Sequence, residues 1–342
     1  MNLTQGIGYD CLNPQEKQLY DRFLQTFRQY GTTVDAGGIS GRVDAMKVLG
    51  AALGDNPQVI YFNKTQLTTT ASLRGGRQYR LMGTVSGSRL RTMEQELNQA
   101  VNRALEWIEE MNPMTDYDRL ITLYEYLQDH VVYDHAELER VSRGGARHPE
   151  SHNAYGALVQ GRGVCDGIAS AFCLLARHLG YRCTVASGQA AFRTQGKSDH
   201  AWNVLQVRDR FFHVDATWDV NQREVTGEYA YEYFCVDDDA IAADHTWDIT
   251  TTPPCTGREL SYYFHNRCQA ANLTNVEEIF RRFAKSRQNT VRVRIAEGIP
   301  VPEPATDYLA NLLLQCASSV GRSGSVLCHW NGDTRCFYGQ FQ

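Results

Sequence analysis

Bulky apolar residues return every three or four positions along PQEKQLYDRFLQTFRQY, where Leu19, Phe23, Phe27 and Tyr30 line one side. This period predicts an amphipathic helix near the N-terminus. Glycines at 31, 37, 38 and 41 interrupt it, and a second helix is expected from Arg42 to Leu53, with a strand at VIYF, residues 59 to 62. QLTTTASL and QYRLMGTV straddle Arg74-Gly75-Gly76-Arg77 and predict a hairpin, before a long helix from about Leu90 to Met111. Asn112-Pro113-Met114-Thr115 is the first boundary, with Thr115 as N-cap of the helix in TDYDRLITLYEYLQDHVVY. AELERVSRGGARHPESHN then shows no periodicity and reads as a loop of about eighteen residues, long enough to suggest a functional segment.

From Ile168 the helical period returns at Ile168, Phe172, Leu175 and Leu179, and Gly180 ends the run. The period then drops to two. RCTVAS, AWNVLQV and RFFHVD read as strands, with Arg208-Asp209-Arg210 as the turn between the last pair and EYFCV, residues 232 to 236, as a further strand. Past Pro253-Pro254 the pattern predicts a helix from about Asn275 to Lys285, a strand at TVRVRIA, a second helix through Leu314 and a C-terminal hairpin. Three regions result: 1–114, mostly helical with a hairpin; 115–252, a core; and 253–342, smaller and mixed. The fold class is α+β, with a helix carrying Cys165 packed on an antiparallel sheet.

Composition acts mainly by exclusion. A chain of 342 residues, 42% of them hydrophobic, fills real cores, while a net charge of −5 without any Lys/Arg block excludes a nucleic-acid footprint. No run of 18 apolar residues predicts membrane insertion. The start MNLTQGIGYDC lacks the basic head and apolar middle of a secretion leader, so a soluble molecule is expected; the compartment stays open, including a secreted or cell-surface one if a leader has been removed. The oligomeric state also stays open. The ten cysteines form no CxxC pairs, which disfavours a zinc ribbon or thioredoxin motif, and Cys173 and Cys183 read as buried free thiols. Cys328 and Cys336 flank an Asn331-Gly332 turn that could set them face to face across two strands.

Candidate chemistry gathers in the core. Cys165 opens the helix that follows GRGV, where unpaired N–H groups and the macrodipole favour a thiolate. His200 begins one strand and Asp215 ends the next, so an antiparallel hairpin brings them together; turn placement predicts a bulge or a slightly diagonal pairing. The three residues then form a nucleophile, its base and the group that orients the base. The Cys165 backbone N–H is a candidate oxyanion donor, with Asn153 and Tyr155 as candidates for the second. Trp202 and Trp218 are candidate walls of a substrate channel or of the core. His213 and His245 read as packing residues, and His148 and His152 as solvated ones.

VCDGIASAFCLLARHLGYRC, DHAWNVLQV and FFHVDATWD together resemble the catalytic core of the transglutaminase-like superfamily, in particular its bacterial members. The likeness runs over residues 116 to 250, with SHNAYGALVQGRGVC and YEYFCVDDD also fitting the pattern. It implies a papain-like fold and matches the family's triad to Cys165, His200 and Asp215. It implies thiol-dependent acyl transfer on amide bonds of a peptide or protein substrate, resolved by water (a cysteine peptidase or amidase) or by an amine (a transglutaminase). The alternative is a catalytically silent peptide- or cell-wall-binding protein. No cofactor and no metal are expected: the short Asp237-Asp238-Asp239 run is no EF-hand loop, so the calcium dependence of animal transglutaminases is not carried over.

Overall fold

The computed structural model describes residues 2–71, 77–191 and 196–342. One compact unit holds residues 1–238 with 245–257, and a second holds 239–244 with 258–342. Among the described residues no helix is long and apolar enough to cross a membrane.

In the first unit the helix Pro14–Arg28 is closed by a reciprocal capping box between Asn13 and Glu16, and it buries Leu19, Phe23 and Phe27. Tyr30 lies past its end with φ +54° and is exposed. The second helix starts later than the pattern predicts, at Ala45, because the Asp44 carboxylate accepts from the Met46 and Lys47 N–H groups and caps it there. The predicted hairpin is present as Phe62–Ala71 against Arg77–Gly83, joined by Thr33–Asp35 in a three-stranded antiparallel sheet; its tip, 72–76, lies outside the described residues.

The boundary expected after Met114 falls inside this unit. The buried Asp55 carboxylate gathers the Gly6, Gly8 and Tyr9 N–H groups and the Tyr20 hydroxyl, which ties the first residues to the helix Ala45–Gly54. That helix reaches the core: Cys173 donates its S–H to the Gly54 carbonyl at 3.6 Å, and a Cβ on Gly54 would lie 2.7 Å from the Val185 carbonyl oxygen.

The core proper is a four-stranded antiparallel sheet, in the order Arg210–Val214, Lys197–Val207, Arg182–Ala191, His245–Thr246. Against it lies the helix Cys165–His178, pinned by Asn203, whose amide donates to the Ala169 carbonyl at 2.9 Å. Two helices, Gly87–Glu110 and Asp116–His130, pack with it; the latter has the predicted Thr115 cap, closed into a box by Asp118. Ile168, Phe172 and Leu175 are buried as their spacing predicts, but so is every residue from Gly167 to Ala176. The small side chains Ala169, Ser170, Ala171, Cys173 and Ala176 allow neighbours to close on all sides of this helix. Gly180, at φ +92°, turns the chain after it.

Three expectations fail locally. Of VIYF only Phe62 lies in a strand, the one that runs on to Ala71. The segment predicted as a loop contains the helix His135–Ser142 and a short 3₁₀ turn, Pro149–His152. Only Glu137 of that helix is buried, so no apolar stripe announces it. EYFCV is no strand: it makes a single bridge, Val236 to His213, because Cys235 adopts φ +51° and bends the chain away from ladder pairing.

In the second unit a sheet in the order Gln269–Ala270, Thr290–Ile295, Cys336–Phe341, Val326–Asn331 packs against the helices Leu273–Ser286 and Ala305–Ser318 through Val291, Val293, Phe280, Leu309, Leu313 and Phe337. Its hairpin register pairs Asn331 with Cys336 and Cys328 with Gly339. Cys328 and Cys336 therefore do not oppose one another, and both are free thiols, as are the other eight cysteines.

Gly167 allows the Cys165 helix to meet the chain at Ser151, whose carbonyl oxygen would lie 2.5 Å from an added Cβ. Gly167→Ala is expected to cost about 1–3 kcal/mol of stability through this overpacking. Gly50→Ala, on the exposed side of the helix Ala45–Gly54 with nothing near its Cβ, should stabilise by about 0.5–1 kcal/mol. Urea denaturation of the two variants checks both signs.

Candidate active site

Cys165 is the first residue of its helix; Val164, the N-cap, supplies no side-chain acceptor. The Val164 carbonyl accepts from the Gly167 N–H at 2.9 Å, and the positive end of the helix dipole at this terminus favours negative charge. Cys165 is half-exposed. Burial pushes the thiols of Cys11, Cys183, Cys255, Cys268, Cys316 and Cys328 up from their ordinary value.

The hairpin places Asp215 by register. The last rung joins Asn203 to Val214, so the next position, Asp215, falls beside Trp202, and His200 is its same-face neighbour two residues along. This is the diagonal pairing that the turn implies. His200 Nε2 lies 2.8 Å from Asp215 Oδ2, and the Cys165 sulfur is near enough to help raise the same imidazole. With Nε2 turned to the carboxylate, the ring's other nitrogen is left for the sulfur.

Asp215 is fully buried and held on every side. As N-cap of the helix Ala216–Thr226 it accepts at Oδ1 from the Thr217 N–H, 2.9 Å away. Its own N–H donates to the Tyr233 carbonyl, and its carbonyl accepts from the Tyr124 hydroxyl at 2.8 Å. His245 Nε2 also reaches Oδ2, at 3.2 Å. Burial alone would pull the His200 imidazole down, but the Asp215 charge and hydrogen bond, with the Cys165 sulfur, push it up to about 10. Burial would likewise raise Asp215, yet His200 and His245 hold its carboxyl well below the usual carboxylate range. Both shifts favour an imidazolium facing a carboxylate.

The remaining site residues expected from sequence have other partners. Asn153 caps the helix Ala154–Val159 with its carbonyl oxygen and gives its amide to the Ile60 and Pro149 carbonyls, which leaves it no donor for an oxyanion. The Tyr155 hydroxyl donates to Glu96 at 2.5 Å, beneath the Arg89 guanidinium. Trp202 is fully buried, so it lines no open channel; its ring lies nearly parallel to that of His200, 6.1 Å between centroids. Trp218 is half-buried with its ring 5.7 Å from that of His200, and is the better candidate wall.

Sequence reasoning missed several supports. Trp202 donates from Nε1 to His213 Nδ1 at 3.0 Å, and His213 Nε2 meets Asp238 at 2.9 Å, so a second His–Asp pair fixes the indole that backs His200. Burial keeps His213 below its ordinary value despite Asp238, in keeping with an unprotonated Nδ1. His148 is exposed as expected, but His152 is not solvated: it bridges Glu137 (3.0 Å) and Asp166 (3.2 Å), tying the misread loop to the first turn of the Cys165 helix. Tyr133 sits within reach of charge on Cys165, Asp166 and Asp215, which together with burial raise its hydroxyl.

Among the described residues two clusters have donor types suited to a metal, His200 with Asp215 and His245, and His213 with Asp238 and Cys255. In both, the imidazole nitrogen concerned is already hydrogen-bonded to a carboxylate. Both are hydrogen-bonded networks.

Residues 106–216, which include Cys165, His200 and Asp215, match the Transglutaminase-like superfamily. This segment is a transglutaminase-like core. The kyphoscoliosis peptidase of Homo sapiens is similar over 175 residues at 24% identity, covering 46% of this chain and 25% of that protein. That of Mus musculus is similar over 198 residues at 23% identity, covering 53% and 28%. The chain thus spans about a quarter of the length of these curated relatives. A TGase of known structure aligns over 44% of each chain, at 13% identity and a TM-score of 0.32.

The ion pair in the transglutaminase-like core sets a pH dependence. Because His200 is raised, the stability it contributes is complete below about pH 6.5 and is lost as pH rises through about 10. Asp215→Asn keeps the helix cap but removes the anion, so the His200 titration should fall, by at least a full unit. NMR titration of the ring nitrogens reads this directly, and an unchanged value would show that another group raises it.

Proposed function

We propose that this chain carries out thiol-dependent acyl transfer on amide bonds of peptides or proteins. The observation that supports this best is one imidazole placed between a half-exposed helix-terminal thiol and a buried carboxylate. In this reading the Cys165 thiolate attacks the amide carbonyl, forming a C–S bond. His200 then gives its proton to the leaving amine as the C–N bond breaks. The thioester is resolved by water, whose proton His200 takes as the C–O bond forms and the C–S bond breaks to release the Cys165 thiolate, or by an amine in the same way. Asp215 holds the imidazole in one tautomer and balances its charge. Hydrolysis is the favoured outcome, because water needs no dedicated acceptor site, and the curated relatives are named peptidases.

Iodoacetamide near neutral pH, followed by peptide mass spectrometry, is expected to label Cys165 at least about tenfold faster than any other cysteine. His200→Ala should abolish that preference. Equal, slow labelling of all accessible thiols would instead support a silent binding protein. A peptide library incubated with and without a primary amine then separates the two acyl-transfer outcomes: free acid alone supports a peptidase or amidase, and amine incorporation a transglutaminase.

A further inference from the structure

The Asp215 carboxylate receives two imidazoles on one oxygen. His200 Nε2 lies 2.8 Å from Oδ2 and His245 Nε2 3.2 Å from the same atom, while the Thr217 N–H holds Oδ1. His245 is fully buried and comes from a different part of the sheet, the edge strand His245–Thr246 that pairs with Gln189 and Ala190. That edge strand comes close through Gly188, the residue opposite His200, where an added Cβ would lie 2.2 Å from the Thr246 carbonyl oxygen. Rings of Trp202, Trp218 and Tyr233 stand 5.0 to 5.6 Å from the His245 ring and hold it in place. His245 thus has both a fixed position and a polar task.

We propose that His245 is a positioning residue: by donating its Nε2–H to Asp215 Oδ2, it shares the carboxylate with His200 and limits how tightly Asp215 holds the proton of the reacting imidazole. This rests on the acyl-transfer reading for its catalytic consequence, though not for its physical content. A carboxylate oxygen that accepts two N–H bonds has less basicity left for each. Without the second donor, Asp215 draws the His200 proton more strongly. The imidazolium becomes a weaker acid, and protonation of a leaving amine slows. The charged and titratable groups facing His200 are Asp215, Cys165 and His245; the other rings against it, Trp202 and Trp218, are uncharged.

A role in packing alone predicts something different, since Phe at 245 fills the aromatic box but donates nothing, whereas Gln donates. The test uses the full chain carrying Cys165→Ala, so that no thiol is involved, with ¹⁵N-labelled histidine. The His245 ring must first read as protonated at Nε2; an Nδ1–H tautomer with bare Nε2 overturns the proposal without any change at 245. His245→Phe should then raise the His200 pKa by about half a unit or more, and His245→Gln should keep it within about 0.2 of the parent. Equal values in all three proteins would leave His245 a packing residue and overturn the proposal. If the Phe variant does not fold, the tautomer and the Gln variant carry the test. None of these readings needs turnover, so absent labelling of Cys165 sinks the acyl-transfer reading alone, and an unmoved His200 sinks this one alone.

Discussion

A buried carboxylate is the constraint around which the first unit is arranged. Taking Asp215 out of water costs several kcal/mol unless opposite charge and hydrogen bonds replace the solvent. Every part of the residue is accordingly matched: a helix N-terminus at Oδ1, two imidazoles at Oδ2, the Tyr124 hydroxyl on its carbonyl and the Tyr233 carbonyl for its N–H. These partners come from five separated stretches of chain. Their convergence fixes the hairpin, the helix Ala216–Thr226 and the helix Asp116–His130 against one another, and the same pairing keeps His200 charged.

The Cys165 helix serves this arrangement by being central. Buried from Gly167 to Ala176, it cannot shift without disturbing the sheet, the chain at Ser151 and the N-terminal segment at Gly54. Its first turn, by contrast, reaches partly exposed surroundings, where His152 links Asp166 to Glu137. A rigid body with a partly exposed end would suit the nucleophile proposed for Cys165, since packing sets its orientation. Aromatic rings hold the imidazole in the same way: Trp202 backs His200 and is itself held by His213 and Asp238.

The triad geometry was legible because it depends on short-range rules. A cysteine after a glycine-rich turn at the head of a 3.6-period run, and a polar turn between two period-two runs, suffice to place Cys165 at a helix start and His200 diagonally beside Asp215. The supporting residues were not legible on the same grounds. Asn153 looked like a free donor on a loop, and only the fold shows its amide engaged by Ile60, some ninety residues earlier in the chain. Glu137 lies in a helix without an apolar stripe, so neither the helix nor the histidine clamp it anchors leaves a periodic trace.

The sequence by itself determined local conformation wherever one face of an element is apolar, along with the placement of Cys165 at a helix start and of His200 beside Asp215, because periodicity, capping and turn chemistry act between near neighbours. The tertiary structure alone decided which polar groups share the buried carboxylate, that Trp202 is sealed while Trp218 stays half-open, and that Cys328 and Cys336 miss each other by register. Those outcomes depend on distances between residues far apart in the chain. Such distances are set only when competing buried groups, here His200 and His245 around Asp215, settle on one packing that satisfies them together.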